Sequence, residues 1–191
     1  MNIISGRNVH QILPNALALL KERGVQRPSR NGDVLVLDGV SVIEYERPCE
    51  RVLFWPERSA NPFFHLHECL WLLAGRNDVK SVTHFVKRMA DFSDDGETFN
   101  SAYGYRWRQE FGFDQLDVIV KNLSVNHYCR RQVLSMWCPR DLAEQDSKDL
   151  PCNLNAVFQI DNNGRLNMTV FNRSNDLIMG ALGANAARTS S

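Results

Sequence analysis

Apolar side chains recur every three or four residues in several parts of the chain, which is the spacing of an amphipathic helix. The pattern predicts helices between Asn8 and Gly24, over Phe63 to Ala74, over Val79 to Met89 and near Gln115 to Asn126. Pro14 counts against the first helix, because a proline inside a helix lacks the amide hydrogen that the helix needs.

Alternating apolar and polar residues predict strands between these helices. Val34 to Leu37 and Val40 to Tyr45 are joined by Asp38-Gly39, a dipeptide typical of a two-residue hairpin turn. A further strand is predicted at Val52 to Trp55. We therefore expect a hairpin and one more strand between the first two helices.

A second hairpin is predicted further along the chain. Ala156 to Ile160 is expected to pair with Leu166 to Phe171 across the Asn-Asn-Gly turn at residues 162–164, after a strand at Gln132 to Met136. Neither an internal repeat nor a linker separates these elements. The pattern indicates an α+β fold, a mixed β-sheet packed with helices, forming a single domain over residues 1–191.

The composition excludes several classes of protein. The 22 basic residues balance the 22 acidic ones, so no net charge would hold the protein on nucleic acid or on an anionic membrane. No apolar run approaches the roughly 20 residues that cross a bilayer, and residues 1–9 lack the layout of a signal peptide. The five cysteines are scattered without CxxC spacing, and His65 and His67 point to different sides of a helix. A cytoplasmic protein with free thiols and no metal is expected.

Arginine is concentrated at four places in this neutral chain: Arg27 to Arg30, the Arg130-Arg131 doublet, Arg165, and Arg173-Ser174. Planar guanidinium groups beside a hydroxyl suit a phosphate monoester, although each arginine taken alone also fits a solvated surface charge. Cys152 begins the strand that is predicted to pair with the one leading to Arg173. A cation beside a thiol stabilises the nucleophilic thiolate, while an inert buried side chain is the alternative for a cysteine taken alone.

Several short motifs together resemble thymidylate synthases in their order and intervals. They are His67-Glu68-Cys69-Leu70-Trp71, Tyr103-Gly104-Tyr105-Arg106-Trp107-Arg108, Leu150-Pro151-Cys152-Asn153, Phe171-Asn172-Arg173-Ser174-Asn175-Asp176, and Gly180 with Asn185. The resemblance covers most of the chain from about Arg27 onward. It is greatest to the viral and bacterial branch that includes deoxypyrimidine hydroxymethylases.

The resemblance implies a chemistry for Cys152. In this family a cysteine thiolate adds to C6 of a pyrimidine, so that C5 can attack the one-carbon unit of 5,10-methylenetetrahydrofolate. Arg173 would stabilise the thiolate and hold the phosphate of a pyrimidine deoxynucleotide monophosphate, with Ser174 and Arg30 beside it. The Arg130-Arg131 doublet would complete the phosphate site from a second subunit, so a homodimer is implied.

Four further positions take roles from the resemblance. Glu68 would be the general acid/base that relays protons to the pyrimidine and the folate, the alternative being an exposed turn of an amphipathic helix. Tyr103 would line the pocket near the thiol, and Asp176 would contact the pterin. Asn185 would read the pyrimidine edge, because an amide can both donate to and accept from uracil. The expected substrate is therefore dUMP.

The sequence departs from the family pattern in three places. Asn153 follows the proposed nucleophile where synthases usually have histidine, which changes the surroundings of the thiol. The stretch from Gly180 to Asn185 is one residue longer than in common synthases. After Asn185 the resemblance stops, and the further elements, ribose-binding pair and folate lid of the family do not follow. A domain that is incomplete at its C-terminal end is therefore expected.

Three hypotheses for function follow. The first is methyl transfer, in which dUMP becomes dTMP and the folate also gives a hydride. The second is a dUMP or dCMP hydroxymethylase, in which water intercepts the same methylene intermediate. Absorbance separates the two, because methyl transfer alone produces dihydrofolate. The third is an inactive nucleotide-binding remnant, which the expected missing C-terminal part favours.

Overall fold

A computed structural model describes residues 1–29, 32–53, 55–56 and 61–178. These residues group into two compact units, one drawn from Met1–Ala60 and Asp176–Ser191 and the other comprising Asn61–Asn175. The single domain expected over the whole chain stays a prediction. The fold contains helices together with parallel and antiparallel strand pairs, so the predicted α+β class is confirmed.

The first unit combines one helix with two small sheets. β1 (Asn2–Gly6) lies parallel to β4 (Ser41–Tyr45), while β2 (Val25–Ser29) and β3 (Gly32–Val36) are antiparallel. α1 (Val9–Arg23) lies between β1 and β2 in the sequence. Because a parallel pair needs a long crossover connection, the helix between β1 and β4 is what makes their pairing possible.

The helix α1 forms as predicted in spite of Pro14. Asn8 caps it, since its side chain accepts hydrogen bonds from the first amides of the helix. An internal proline costs about 3 kcal/mol, whereas burying a leucine or isoleucine side chain contributes about 1.5–3 kcal/mol. Ile12 and Leu13 are both almost fully buried, so their burial offsets the proline.

Two strand predictions in this unit were wrong. Val34 to Leu37 and Val40 to Tyr45 do not form a hairpin: β3 pairs with β2 and β4 pairs with β1. A turn dipeptide reports only local backbone preference. Here β3 pairs with β2, the strand just before it in the chain, and β4 pairs with β1, which is distant in sequence. Nor do the described residues of Val52 to Trp55 form a strand; Leu53 instead contributes to the apolar core of this unit.

The second unit contains four α-helices among its described residues. They are α2 (Pro62–Leu73), α3 (Val79–Thr83), α4 (Tyr103–Arg108) and α5 (Gln115–Val125). The predicted helices at α2 and α5 are confirmed within one or two residues. The short helix α4 was not predicted, because six residues are too few for a periodic pattern.

The helix predicted over Val79 to Met89 is shorter than expected. α3 ends at Thr83, and a 3₁₀ helix follows at Lys87–Phe92. The Thr83 hydroxyl donates back to the carbonyls of Val79 and Lys80, both at 3.1 Å. Such a bond gives helix carbonyls a side-chain partner and slightly destabilises the helix in which it forms.

Three antiparallel strands complete the second unit, in the order β5 (Val133–Ser135), β6 (Asn153–Ile160) and β7 (Leu166–Asn172). The predicted hairpin between β6 and β7 is confirmed, and Gly164 takes the positive φ that its turn requires. The pairing of β6 with β7 is irregular between Asn153 and Asn155. This β-bulge lies one residue after Cys152.

The core of the second unit is built between the sheet and the helices. Its buried apolar members include Trp71 and Leu72 of α2, Tyr103 and Trp107 of α4, and Ala156 of β6. α2 and α4 approach so closely that a Cβ at Gly104 would stand 2.0 Å from the carbonyl oxygen of Leu72. Only glycine fits at this crossing.

Candidate active site

The backbone around Cys152 is fixed by a tyrosine from α4. The phenolic oxygen of Tyr103 accepts a hydrogen bond from the Cys152 amide at 2.9 Å and from the Asn153 amide at 3.1 Å. Tyr103 is buried, whereas Cys152, directly before β6, stays partly exposed. One hydroxyl therefore holds the turn that presents the thiol.

Arg173 at the end of β7 lies beside the same turn. Its amide donates to the Cys152 carbonyl at 2.9 Å, so the predicted juxtaposition of these two residues is found in the backbone. Its guanidinium donates through Nε to the Pro151 carbonyl at 2.9 Å and through Nη2 to the Leu150 carbonyl at 3.1 Å. The group also lies 5.7 Å from the ring centre of Trp137. A guanidinium has five N–H donors, so donors remain for an anion.

A buried carboxylate anchors the turn from its other side. Asp149 accepts a hydrogen bond from the Asn100 amide at 2.6 Å and one from the Ser101 hydroxyl, and its own carbonyl accepts from the Asn100 side chain at 3.2 Å. Burial raises the pKa of Asp149 above its ordinary value, against these hydrogen bonds. The aspartate ties the Leu150 to Cys152 turn to the segment that leads into α4. Sequence reasoning missed Asp149, although its place directly before the motif was a usable signal.

Arg106 is a second buried anchor, and it is completely shielded from solvent. Its guanidinium donates to the Asp141 carboxylate at 2.7 and 3.0 Å and to the Met136 carbonyl at 2.8 Å. It also donates to the carbonyl and the side chain of Asn100, at 2.8 and 3.0 Å. Arg106 thus joins α4 to the segments before and after it. The motif that contains this arginine was recognised, but no role was assigned to it.

The pKa of Asp141 reflects two opposing effects. Burial alone would raise the pKa, but hydrogen bonds from Arg106 and from the Cys138 amide favour the ionised form and outweigh it. The pKa of Asp141 consequently lies below its ordinary value. The Asp141 carboxylate is therefore ionised at neutral pH, and its charge is compensated by the buried Arg106 guanidinium that donates to it.

Glu68 lies on α2 and is 6% exposed. The alternative of a solvent-exposed helical turn is therefore disfavoured for this residue. Its helix contacts α4, which carries Tyr103. Glu68 is thus a buried carboxylate on the helix that packs against the helix of Tyr103, and its role as general acid/base stays a prediction.

A family model described as Thymidylate synthase matches residues 51–189. The chain belongs to the thymidylate synthase family. The resemblance stated from the motifs is thereby confirmed. The match includes the segments that carry Glu68, Tyr103, Cys152 and Arg173.

Curated relatives from two bacteriophages are also similar to the chain. A deoxyuridylate hydroxymethyltransferase of Pseudomonas phage M6 is 59% identical over 191 residues, which is 100% of this chain and 54% of that protein. A deoxyuridylate hydroxymethyltransferase of Bacillus phage SP01 is 37% identical over 179 residues, 84% of this chain and 46% of that protein. The chain spans about half the length of these curated relatives.

Solved structures of thymidylate synthases share the fold. The enzyme from T4 phage aligns with a TM-score of 0.62 at 19% identity, covering 92% of this chain and 66% of that one. Thermostable thymidylate synthase A from Bacillus subtilis aligns with a TM-score of 0.51 at 26% identity, covering 61% and 44% respectively. The α+β architecture is thus that of the family.

The other predicted phosphate ligands of this family member are Arg130, Arg131, Ser174 and Arg30. Arg130 and Arg131 are exposed on the segment before β5, and Ser174 is exposed directly after Arg173. Arg30 lies outside the described residues. Of the predicted phosphate ligands that the structure describes, only Arg173 has hydrogen bonds that place it beside the Cys152 turn, and phosphate binding by these residues stays a prediction.

The two residues predicted to contact the folate and the base are Asp176 and Asn185. Asp176 accepts a hydrogen bond from the Ile178 amide at 2.9 Å and is grouped with the first unit. Asn185, like Gly180, lies outside the described residues. Their roles stay predictions.

The hydrogen-bond partners of a second cysteine, Cys129, lower the pKa of its thiol. A hydrogen bond from the Arg131 backbone amide holds the pKa of Cys129 below its ordinary value, and the Arg131 side chain adds to the effect. The Gln132 side-chain amide donates to the same sulfur at 2.8 Å. These hydrogen bonds favour the thiolate of Cys129, whereas the anchored turn and the family motif point to Cys152 as the nucleophile. The Arg130-Arg131 doublet directly after Cys129 was a usable signal that sequence reasoning did not apply to this thiol.

None of the helices that the structure describes has the length and apolarity needed to cross a bilayer. Within the same described ranges, no group of three or more histidine, cysteine, aspartate or glutamate residues could hold a metal ion.

Proposed function

We propose that this protein transfers the one-carbon unit of 5,10-methylenetetrahydrofolate to C5 of dUMP and releases a 5-hydroxymethyl nucleotide. The observation that carries the proposal is the turn of Cys152, with its amide held by Tyr103 and with Arg173 paired to its carbonyl. Two relatives that bear the name deoxyuridylate hydroxymethyltransferase support uracil as the base and the hydroxymethyl group as the product.

The first half of the reaction needs a nucleophile, an anion site and a proton relay. The Cys152 thiolate adds to C6 of the uracil ring, which makes C5 electron-rich enough to form a bond to the one-carbon unit. Arg173 stabilises the thiolate and binds the nucleotide phosphate with the N–H donors that the Pro151 and Leu150 carbonyls leave available. Glu68, buried on α2, gives and takes the protons that this addition and the loss of the C5 proton require.

The second half of the reaction determines the product. Once the C5 proton has left and the folate nitrogen has departed, the nucleotide carries an exocyclic methylene group at C5. Attack by water on that carbon gives a 5-hydroxymethyl group and leaves tetrahydrofolate unoxidised. Transfer of a hydride from tetrahydrofolate to the same carbon gives dTMP and dihydrofolate instead. The names of the two phage relatives favour the first route.

The nucleotide phosphate would be held by Arg173, Ser174 and Arg30 of one subunit. Arg130 and Arg131 are exposed, as a contribution to the site of a second copy in a homodimer requires. Asp176 would contact the pterin and Asn185 the uracil edge. The cysteines among the described residues are free thiols, which suits action in a reducing cytoplasm.

Product analysis tests the proposal. The protein is incubated with dUMP and methylenetetrahydrofolate, nucleotides are separated by chromatography, and the absorbance of dihydrofolate is followed. We expect 5-hydroxymethyl-dUMP without dihydrofolate, and no product from Cys152→Ser. Formation of dTMP with an equal amount of dihydrofolate would establish the methyl-transfer reaction instead. Absence of both products from a folded protein would contradict the proposal.

A further inference from the structure

Asn153 has a buried oxygen that the fold leaves without a hydrogen bond. Its side chain is 5% exposed, and Oδ1 has no partner among the residues that the structure describes. Nearly all buried polar atoms in folded proteins have a partner, in the protein or in an ordered water. An exception therefore requires a ligand, a water or a functional reason.

The β-bulge places this side chain toward the core of the second unit. Asn153 is paired with Asn172, whereas Asn155 is paired with Phe171, so the two asparagines lie on opposite faces of the sheet. The face of Asn172 is also that of Val170 and Met168, which pack against the core cluster that contains Tyr103. Without the bulge, Asn153 would share the face of Asn155.

Asn153 also adjoins the nucleophile. It follows Cys152 directly, and its amide donates to the Tyr103 oxygen that also accepts from the Cys152 amide. The residue with the unpartnered oxygen is therefore held by the same Tyr103 oxygen that holds the backbone of the nucleophile. The side-chain oxygen of Asn155 also lacks a hydrogen-bond partner among the described residues, but Asn155 lies on the opposite face of the sheet and is less buried.

We propose that Asn153 is the positioning residue for the water that attacks the exocyclic methylene carbon, an inference that rests on the proposed function. Oδ1 accepts one hydrogen of this water and thereby directs an oxygen lone pair at the carbon. The water oxygen forms the new C–O bond, the exocyclic double bond moves to C5=C6, and the C6–S bond to Cys152 breaks. The proton lost by the water balances the thiolate released, and no oxidant or reductant is consumed.

An amide oxygen suits this task because it orients water without removing a proton. A carboxamide is not basic at neutral pH, so Asn153 is not a general base. It instead raises the fraction of water molecules that are correctly placed relative to the carbon. Water would then compete effectively with other nucleophiles for the same electrophile.

Competition with an added thiol measures this positioning directly. The protein is given dUMP, methylenetetrahydrofolate and a fixed concentration of 2-mercaptoethanol, and the ratio of 5-hydroxymethyl to 5-thioether nucleotide is determined. In Asn153→Leu, which removes the oxygen at similar volume, we expect this ratio to fall about tenfold, the effect of one lost hydrogen bond. The KM for dUMP should not change. Asn155→Leu is the matched control and should keep the ratio.

A second variant separates positioning from folding. Asn153→Asp keeps acceptor oxygens at the same place and should keep or raise the ratio, even if Asn153→Leu fails to fold. A ratio in Asn153→Leu equal to that of the unaltered protein, or an equal fall in Asn155→Leu, would overturn the inference. So would a fall in Asn153→Asp. If the unaltered protein forms no hydroxymethyl nucleotide at all, the proposed function itself fails, which is a distinguishable result.

Discussion

Replacing Tyr103 by phenylalanine removes the single oxygen that holds the turn of the proposed nucleophile. Two backbone amides lose their acceptor, one from the partly exposed Cys152 and one from the buried Asn153. A buried group left without its partner costs about 1–3 kcal/mol, and a partly exposed amide regains some of that from water. We therefore expect Tyr103→Phe to lower the free energy of unfolding by about 2–4 kcal/mol.

The same change should affect the chemistry more than a general loss of stability would. The Cys152 turn is held on one side by Tyr103 and on the other by Asp149, so the thiol moves when one support is removed. Displacements near 1 Å can cost about a hundredfold in rate. Formation of a covalent nucleotide adduct at Cys152 should accordingly slow by about ten- to a hundredfold under conditions where the variant is folded.

Urea unfolding and the rate of adduct formation, measured by mass spectrometry, together test this prediction. Tyr105→Phe is the control, since Tyr105 lies on the same helix and packs partly against the same core. It removes a hydroxyl that is not the acceptor of the Cys152 amide. If Tyr103→Phe were as stable as the unaltered protein and formed the adduct as fast, the role assigned to this oxygen would be refuted.

Two further predictions concern stability. Gly104→Ala should destabilise the protein by more than about 3 kcal/mol, because the added carbon would stand 2.0 Å from the Leu72 carbonyl oxygen; unchanged thermal unfolding would contradict this. Asp141→Asn leaves the buried Arg106 charge uncompensated and should cost about 3–5 kcal/mol at pH 7. Because the folded-state pKa of Asp141 is lowered, its contribution is present above about pH 4 and is lost as the pH falls further. The variant should therefore show a flatter acid profile in calorimetry, and an unaltered profile would contradict the assignment.

Local signals in the sequence predicted the helices and strands better than they predicted which strands pair with each other. α2 and the β6–β7 hairpin were predicted because a cap, a turn and an apolar pattern all lie within a short segment. The pairing of β1 with β4 was not predicted, because the alternation of apolar and polar residues indicates a strand but not which other strand it pairs with. The Asp38-Gly39 dipeptide fits a hairpin turn, but β3 pairs with the strand just before it and β4 pairs with the distant β1, so the predicted hairpin does not form.

The candidate site also contains residues that the sequence predicted and residues that it did not. Motifs indicated Cys152, Arg173, Glu68 and Tyr103, whose residue types carry recognisable chemistry. Asp149, the other support of the turn besides Tyr103, was not predicted, since an aspartate has no local pattern that reveals burial or its distant partners. The lowered pKa of Cys129 comes from Arg131 and Gln132, only two and three residues further along the chain. The unpartnered oxygen of Asn153, in contrast, depends on the three-dimensional packing around it.

Mapping of the covalent adduct tests most directly the claim that Cys152 attacks the pyrimidine. With 5-fluoro-dUMP and methylenetetrahydrofolate the reaction stops after the addition, because the fluorine at C5 cannot leave as the proton does. The account predicts an adduct on the peptide that contains Cys152, absent in Cys152→Ser and retained in Cys129→Ser and Cys138→Ser. An adduct that persists in Cys152→Ser, or one that is mapped to Cys129 or Cys138, would contradict it.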